Sequence, residues 1–131
     1  MSELWTWIGG DVALAIHAEQ LEEHGGGEGV RDLALLESAL ARPQQLAAYG
    51  GTPDVYDLAA TYAHGVAKNH PFVDGNKRTA WVLARLYLAL HGIDYAGSDG
   101  DAVMAVLQLA AGEHDADSFA AWLRANGQPL A

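Results

Sequence analysis

The chain has no cysteine. That excludes a disulfide framework, a thiolate zinc site and a thiol nucleophile. It is also poor in cations: 7 Lys and Arg face 17 Asp and Glu, a formal net charge of −10. Such a balance lacks the basic surface with which proteins hold nucleic acid wholesale, so no direct nucleic-acid partner is expected. Long apolar runs are missing too. The longest, within Ala80–Leu90, is broken by Arg85 and is far below the roughly 18 residues of a membrane span. Met1–Trp7 lacks a basic start followed by an apolar run, so a cytoplasmic location is expected and no membrane partner. Half of the residues are hydrophobic, and 131 residues suffice for one core and not for two. The expectation is one domain, residues 1–131.

What is present reads as helices. Leu4–Ile8 is short and aromatic and reads as a strand-like arm closed by Gly9-Gly10. Asp11 is a plausible N-cap for a helix to His24, which Gly25–Gly27 ends. Asp32 caps a second helix through Leu40, with a break expected at Pro43 and a loop or flap over Gln44–Pro53. Asp54 caps a third, to about Asn69 before Pro71; its many alanines allow close helix approach. A fourth, from about Asn76 to His91, is apolar almost all round and belongs at the centre of a bundle. After a link at Tyr95–Ser98, a fifth starts at Asp99 or Asp101 and runs through Ala111. A sixth starts at Asp115 or Asp117 and ends at Asn126-Gly127. The fold class is all-α, a compact bundle of about six helices around Thr79–Leu90.

The few cations are unevenly placed. The chain's two lysines, Lys68 and Lys77, lie with Arg78 in an eleven-residue window. Within it, His70-Pro71-Phe72-Val73-Asp74-Gly75-Asn76-Lys77-Arg78-Thr79 is the densest polar cluster, at the start of the fourth helix. The first N–H groups of a helix are unpaired and partly positive. Gly75 permits close approach to that backbone, and Lys77 and Arg78 add full charge beside it. The sum suits a phosphate. Asp74 stands where a carboxylate can share magnesium with a nucleotide. His70 has a side chain suited to accept a proton near neutral pH. Those parts match attack of a hydroxyl on a nucleotide phosphate. A plainer reading fits the same residues equally well: Asp74 caps the helix, His70 and Phe72 pack the turn, and Lys77-Arg78 are solvated.

His70–Arg78 resembles the Fic motif, H-P-F-x-[D/E]-G-N-x-R, at every specified position. The segments His17–Asp32 and Leu35–Pro43, together with the small size, resemble the Doc branch of the Fic/Doc family. The resemblance implies the compact helical Fic/Doc fold. It also implies transfer of a phosphate-containing group from a nucleotide to a protein hydroxyl. Typical Fic members move AMP. Doc-type toxins act as kinases that pass the γ-phosphate of ATP to a threonine of elongation factor Tu and stop translation.

Two positions favour the Doc-like activity. AMP-transferring members read G-N-G-R-x-x-R; here Lys77 replaces the second glycine and Trp81 the second arginine. Gly75 points the other way, since Doc toxins can carry alanine there. The lost arginine weighs more, because it removes a charge-assisted contact.

By this resemblance His70 is the general base and Asp74 holds Mg2+. Gly75 and Asn76 present backbone N–H groups, and Asn76 also its amide. Lys77 and Arg78 hold the ATP phosphates, Phe72 anchors the loop, and Gln44–Pro53 is the candidate target-aligning flap. The resemblance also implies a separate antitoxin, because the inhibitory string [S/T]-x-x-x-E-[G/N] is missing from this chain. The alternatives are AMP transfer to a protein hydroxyl and a catalytically silent binding module.

Other features fit blander roles. The glycines at 25–29 do not form G-x-G-x-x-G, and no His-x-x-x-His pair suggests zinc. Arg31-Asp32 follows the glycine loop and is within reach of the site, but a helix-capping Asp32 with a solvated Arg31 is the simpler account.

Overall fold

The computed structural model describes residues 4–131. Six helices follow in order: α1 (Gly10–His24), α2 (Leu33–Tyr49), α3 (Val55–Asn69), α4 (Asn76–Leu90), α5 (Asp99–Ala111) and α6 (Ala116–Ala125). Two three-residue strands, β1 (Ile93–Tyr95) and β2 (Gly127–Pro129), pair antiparallel, with Asp94 opposite Gln128. They join the end of α4 to the end of α6. No such pair is expected from the sequence, and only Tyr95 of it falls within the expected link Tyr95–Ser98.

Helix α3 lies among α2, α4, α5 and α6. Its small residues make that possible. A Cβ on Gly65 would sit 2.9 Å from the Ala39 Cβ, so α2 and α3 pack almost backbone to backbone. Helix α4 shares the centre: Leu83, Ala84, Tyr87 and Leu88 are buried against α3. Fully buried Tyr62, Phe72, Phe119 and Leu36 fill the remaining core.

Acidic caps set three of the helix starts. Asp32 accepts from Leu35 N–H at 3.1 Å. Asp54 and Asp57 form a reciprocal capping box, as do Asp115 and Ser118. Arg124 of α6 donates to Asp54 at 2.9 Å and reaches Asp57 at 3.3 Å, which joins the start of α3 to α6. Ser98, rather than Asp99 or Asp101, caps α5. Helix α1 starts one residue before Asp11, at Gly10, and no side chain caps it.

Two expectations fail. Pro43 does not end α2, which runs on to Tyr49. The proline removes one backbone donor, but its ring is buried, and Gln44–Tyr49 are mostly good helix formers. The segment Gln44–Pro53 is therefore mainly helix, and only Gly50–Pro53 is left as a loop before the Asp54 cap. The arm after Leu4 is not a strand. It is held instead by two hydrogen bonds, from Thr6 N–H to His91 Nε2 at 3.1 Å and from Ile8 N–H to the Tyr62 hydroxyl at 2.9 Å.

Candidate active site between helices α3 and α4

The site begins where α3 must stop. Pro71 disfavours helical geometry in the residue before it. His70 takes a left-handed conformation, φ 49° and ψ 56°, as the C-cap of α3. The chain then turns through 71–75 and re-enters a helix at Asn76. Gly75, the N-cap of α4, has φ 77°. A Cβ there would meet only ordinary contacts, the nearest at 3.5 Å, so the glycine serves the backbone angle rather than the space.

Three groups fix this turn from inside. The Asn76 amide is committed to Phe72, accepting from its N–H and donating to its carbonyl, both at 3.0 Å. These bonds take one N–H and one oxygen lone pair of a largely buried amide, so the backbone N–H is the more open group that Asn76 presents. Phe72 is 1% exposed and stacks on the His17 ring, with centroids 3.7 Å apart. His17, buried on α1, has its Nε2 2.8 Å from the Asp74 carbonyl. A carbonyl only accepts, so Nε2 carries the proton. His17 and Arg31 are the residues that sequence reasoning passed over. The apolar spacing of α1 does not mark His17: Val12 and Leu14 are exposed, while Ala13, His17 and Gln20 face inward.

The outer wall carries the charge. The Asp74 side chain does not cap α4. Its Oδ1 accepts from Gly75 N–H at 2.7 Å. That N–H, then the one from Gly27, hold the carboxyl below the ordinary carboxylate range, with Arg78 and Lys77 adding to the effect. The first bond of α4 runs from Thr79 N–H to the Gly75 carbonyl, so the N–H groups of Asn76, Lys77 and Arg78 remain open. Lys77 is exposed. Arg78 donates through Nη2 to the Gly25 carbonyl at 3.1 Å, while its Nε is buried without a partner among the described residues.

His70, Val73, Asp74, Gly75, Asn76, Lys77 and Arg78 line one cavity of about 240 Å3. All six predicted site residues thus meet in one place. Lys77 and Arg78 also line a neighbouring, mostly apolar cavity of about 350 Å3, walled by Trp81, Ala102, Val106 and Leu107. The Trp81 ring lies edge-on to Tyr95, with centroids 4.9 Å apart, and offers no cation. Chemically, the arrangement joins an anion cradle, an exposed carboxylate and an imidazole on one rim.

Comparisons with known proteins place the chain among relatives. A protein from Mycolicibacterium smegmatis named Toxin Doc is 42% identical over 103 residues, covering 76% of this chain and 78% of that protein. A protein from Escherichia phage P1 named Protein kinase doc is 34% identical over 111 residues, covering 85% of this chain and 87% of that protein. Residues 7–88, which run from the arm through the motif to near the end of α4, match the Fic/DOC family pattern, and the chain belongs to the Fic/Doc family.

Proposed function

We propose that this chain is the toxin of a toxin–antitoxin pair and acts as a protein kinase on a threonine hydroxyl, with elongation factor Tu as the target. The observation that carries the reading is the N-terminus of α4, uncapped among the described residues, with Lys77 and an Arg78 whose Nε has no partner among them, lining one cavity with His70. Three open N–H groups and two cations suit the charged tail of a nucleotide. In a chain with so few cations, two of them beside open N–H groups support an anion there.

Each residue then has a task. Lys77, Arg78 and the N–H groups of Asn76–Arg78 bind the phosphates of ATP. His70 takes the proton of the target hydroxyl. The hydroxyl oxygen bonds to the γ-phosphorus, the bond to the β,γ-bridging oxygen breaks, and ADP leaves. Asp74 would hold Mg2+. One exposed carboxylate, ionised well below neutral pH, fits a cation that takes its other ligands from phosphate and water. Bound there, the metal would offset charge on the phosphates.

Phosphate transfer is favoured over AMP transfer by Trp81. It stands where an AMP-transferring member has its second arginine, and its ring is taken up by Tyr95 and Trp122. The test is intact-mass spectrometry of elongation factor Tu after incubation with this protein, ATP and magnesium. A gain of one phosphate, lost with His70→Ala while the fold is retained, is the expected result. A gain of one AMP, or full activity in His70→Ala, would refute it.

A further inference from the structure

His70 is the one non-glycine among the described residues with a positive φ. Residues with a Cβ avoid that region, and one found there must be held by its surroundings. The holder is identifiable. Arg31 Nε donates to the His70 carbonyl at 2.7 Å, and its Nη2 donates to the Asn69 carbonyl at 2.8 Å. These are the last carbonyls of α3, which lack partners within the helix and face its negative end. The backbone reinforces the clamp. Arg31 and Asp32 N–H groups both donate to the Pro71 carbonyl, at 2.7 and 3.0 Å. Val30 bridges Phe72, and Val73 N–H donates to the Gly29 carbonyl at 3.1 Å. The segment 29–32 therefore lies antiparallel along the motif, and its arginine closes over the turn that presents the imidazole.

We propose that Arg31 is a positioning residue for His70: its planar fork locks the left-handed C-cap and so aims the imidazole into the cavity. The inference rests on the reading of His70 as the base. Lysine cannot replace the fork, because a single ammonium does not hold two carbonyls in a fixed plane. Without the clamp, His70 relaxes toward ordinary backbone angles and its ring leaves the attack geometry. The phosphate cradle on α4 is untouched.

The experiment compares wild type, Arg31→Ala and Arg31→Lys in the full-length protein by two readouts. The first is NMR of the labelled chain, where the His70 Cα and Cβ shifts report its backbone region. Both variants should lose the left-handed signature. The second is phosphate-transfer kinetics. For Arg31→Ala, kcat should fall roughly 10- to 100-fold, with KM for ATP within about twofold, as expected for a misplaced base beside an intact binding site. Arg31→Lys should fall between, and added guanidinium should restore part of the Arg31→Ala rate. A merely structural arginine would lower the melting temperature without this kcat-against-KM split. An unchanged His70 signature, or a kcat within about twofold of wild type, overturns the proposal. If the wild-type chain transfers no phosphate, or His70→Ala transfers as well as wild type, the functional reading fails separately. The NMR signature then decides alone whether Arg31 holds His70.

Discussion

Gly26 offers the sharpest test of how the motif is assembled. It has φ 124°, and a Cβ built on it would lie 2.6 Å from Asp74 Oδ2 and 3.1 Å from its Cγ. Ordinary contact begins at about 3.4 Å, so Gly26→Ala forces the carboxylate back by about 0.8 Å. The displaced atom is the end of a flexible, exposed side chain, so the steric cost is small, but a shift of that size strains the hydrogen bonds from Gly75 and Gly27 that hold Asp74 in place. The backbone adds a separate cost of about 1–3 kcal/mol for a side chain at that φ.

Gly25→Ala separates the two effects. Gly25 also has a positive φ, 76°, but its Cβ would meet nothing within 4 Å. Both variants should melt several degrees lower, as about 1–3 kcal/mol implies for a domain of this size. Only Gly26→Ala should also lose magnesium-dependent ATP binding, by roughly tenfold or more. Calorimetric titration of ATP with and without magnesium, beside thermal melts, reads both. If Gly26→Ala binds magnesium and ATP as tightly as Gly25→Ala does, the placement of Asp74 as the metal-holding carboxylate is wrong.

Three further outcomes follow from the core and the caps. His17→Phe keeps the stack on Phe72 but removes the donor to the Asp74 carbonyl, so stability should fall by about 1–2 kcal/mol in a denaturant titration, and an unchanged midpoint would refute the bond's importance. The Tyr87 hydroxyl is buried without a partner among the described residues, and burial pushes its pKa up; Tyr87→Phe should therefore melt at the same temperature or higher, and a drop would reveal a partner for that hydroxyl. For Asp54, burial raises the pKa, but hydrogen bonds from Arg124 and Asp57 N–H outweigh it and leave the pKa lowered. A lowered folded-state pKa means that this contribution is complete above the unfolded carboxylate value and is lost as pH falls below about 4. Asp54→Asn should flatten that part of the stability profile measured by melts across pH, and a profile parallel to wild type would refute the linkage.

Much of the fold was legible because its signals are local. An acidic residue before an apolar-periodic run marks α2, α3 and α6, and in each case that aspartate does bond the helix start. The alanines along α3 foretold a close approach, and the tightest point is made by Gly65, which that reading did not name, against Ala39. The misreadings share one cause. Pro43 interrupts a helix by local rules, yet a buried ring and helix-forming neighbours override them. The β1–β2 pair was invisible because its strands are three residues each and 34 positions separate Ile93 from Gly127. Arg31 looked like a solvated charge because its partners, the carbonyls of Asn69 and His70, lie nearly forty residues away.

The sequence by itself placed the candidate site residues side by side. His70, Asp74, Gly75, Asn76, Lys77 and Arg78 fall within nine positions, so the turn between two helices is bound to bring them together. It did not determine their states. The folded geometry of the turn decided that Asn76 spends amide contacts on Phe72, four residues back, and that Asp74 bonds the neighbouring Gly75 N–H and leaves α4 uncapped. Tertiary contacts decided that His17 and Arg31, from α1 and from the chain before α2, fix the loop from two sides. The physical reason is the reach of each interaction. Helix caps and periodicity act over a few residues, and a one-dimensional string records them. A hydrogen bond to a distant backbone carbonyl exists only once the fold has placed donor and acceptor 3 Å apart.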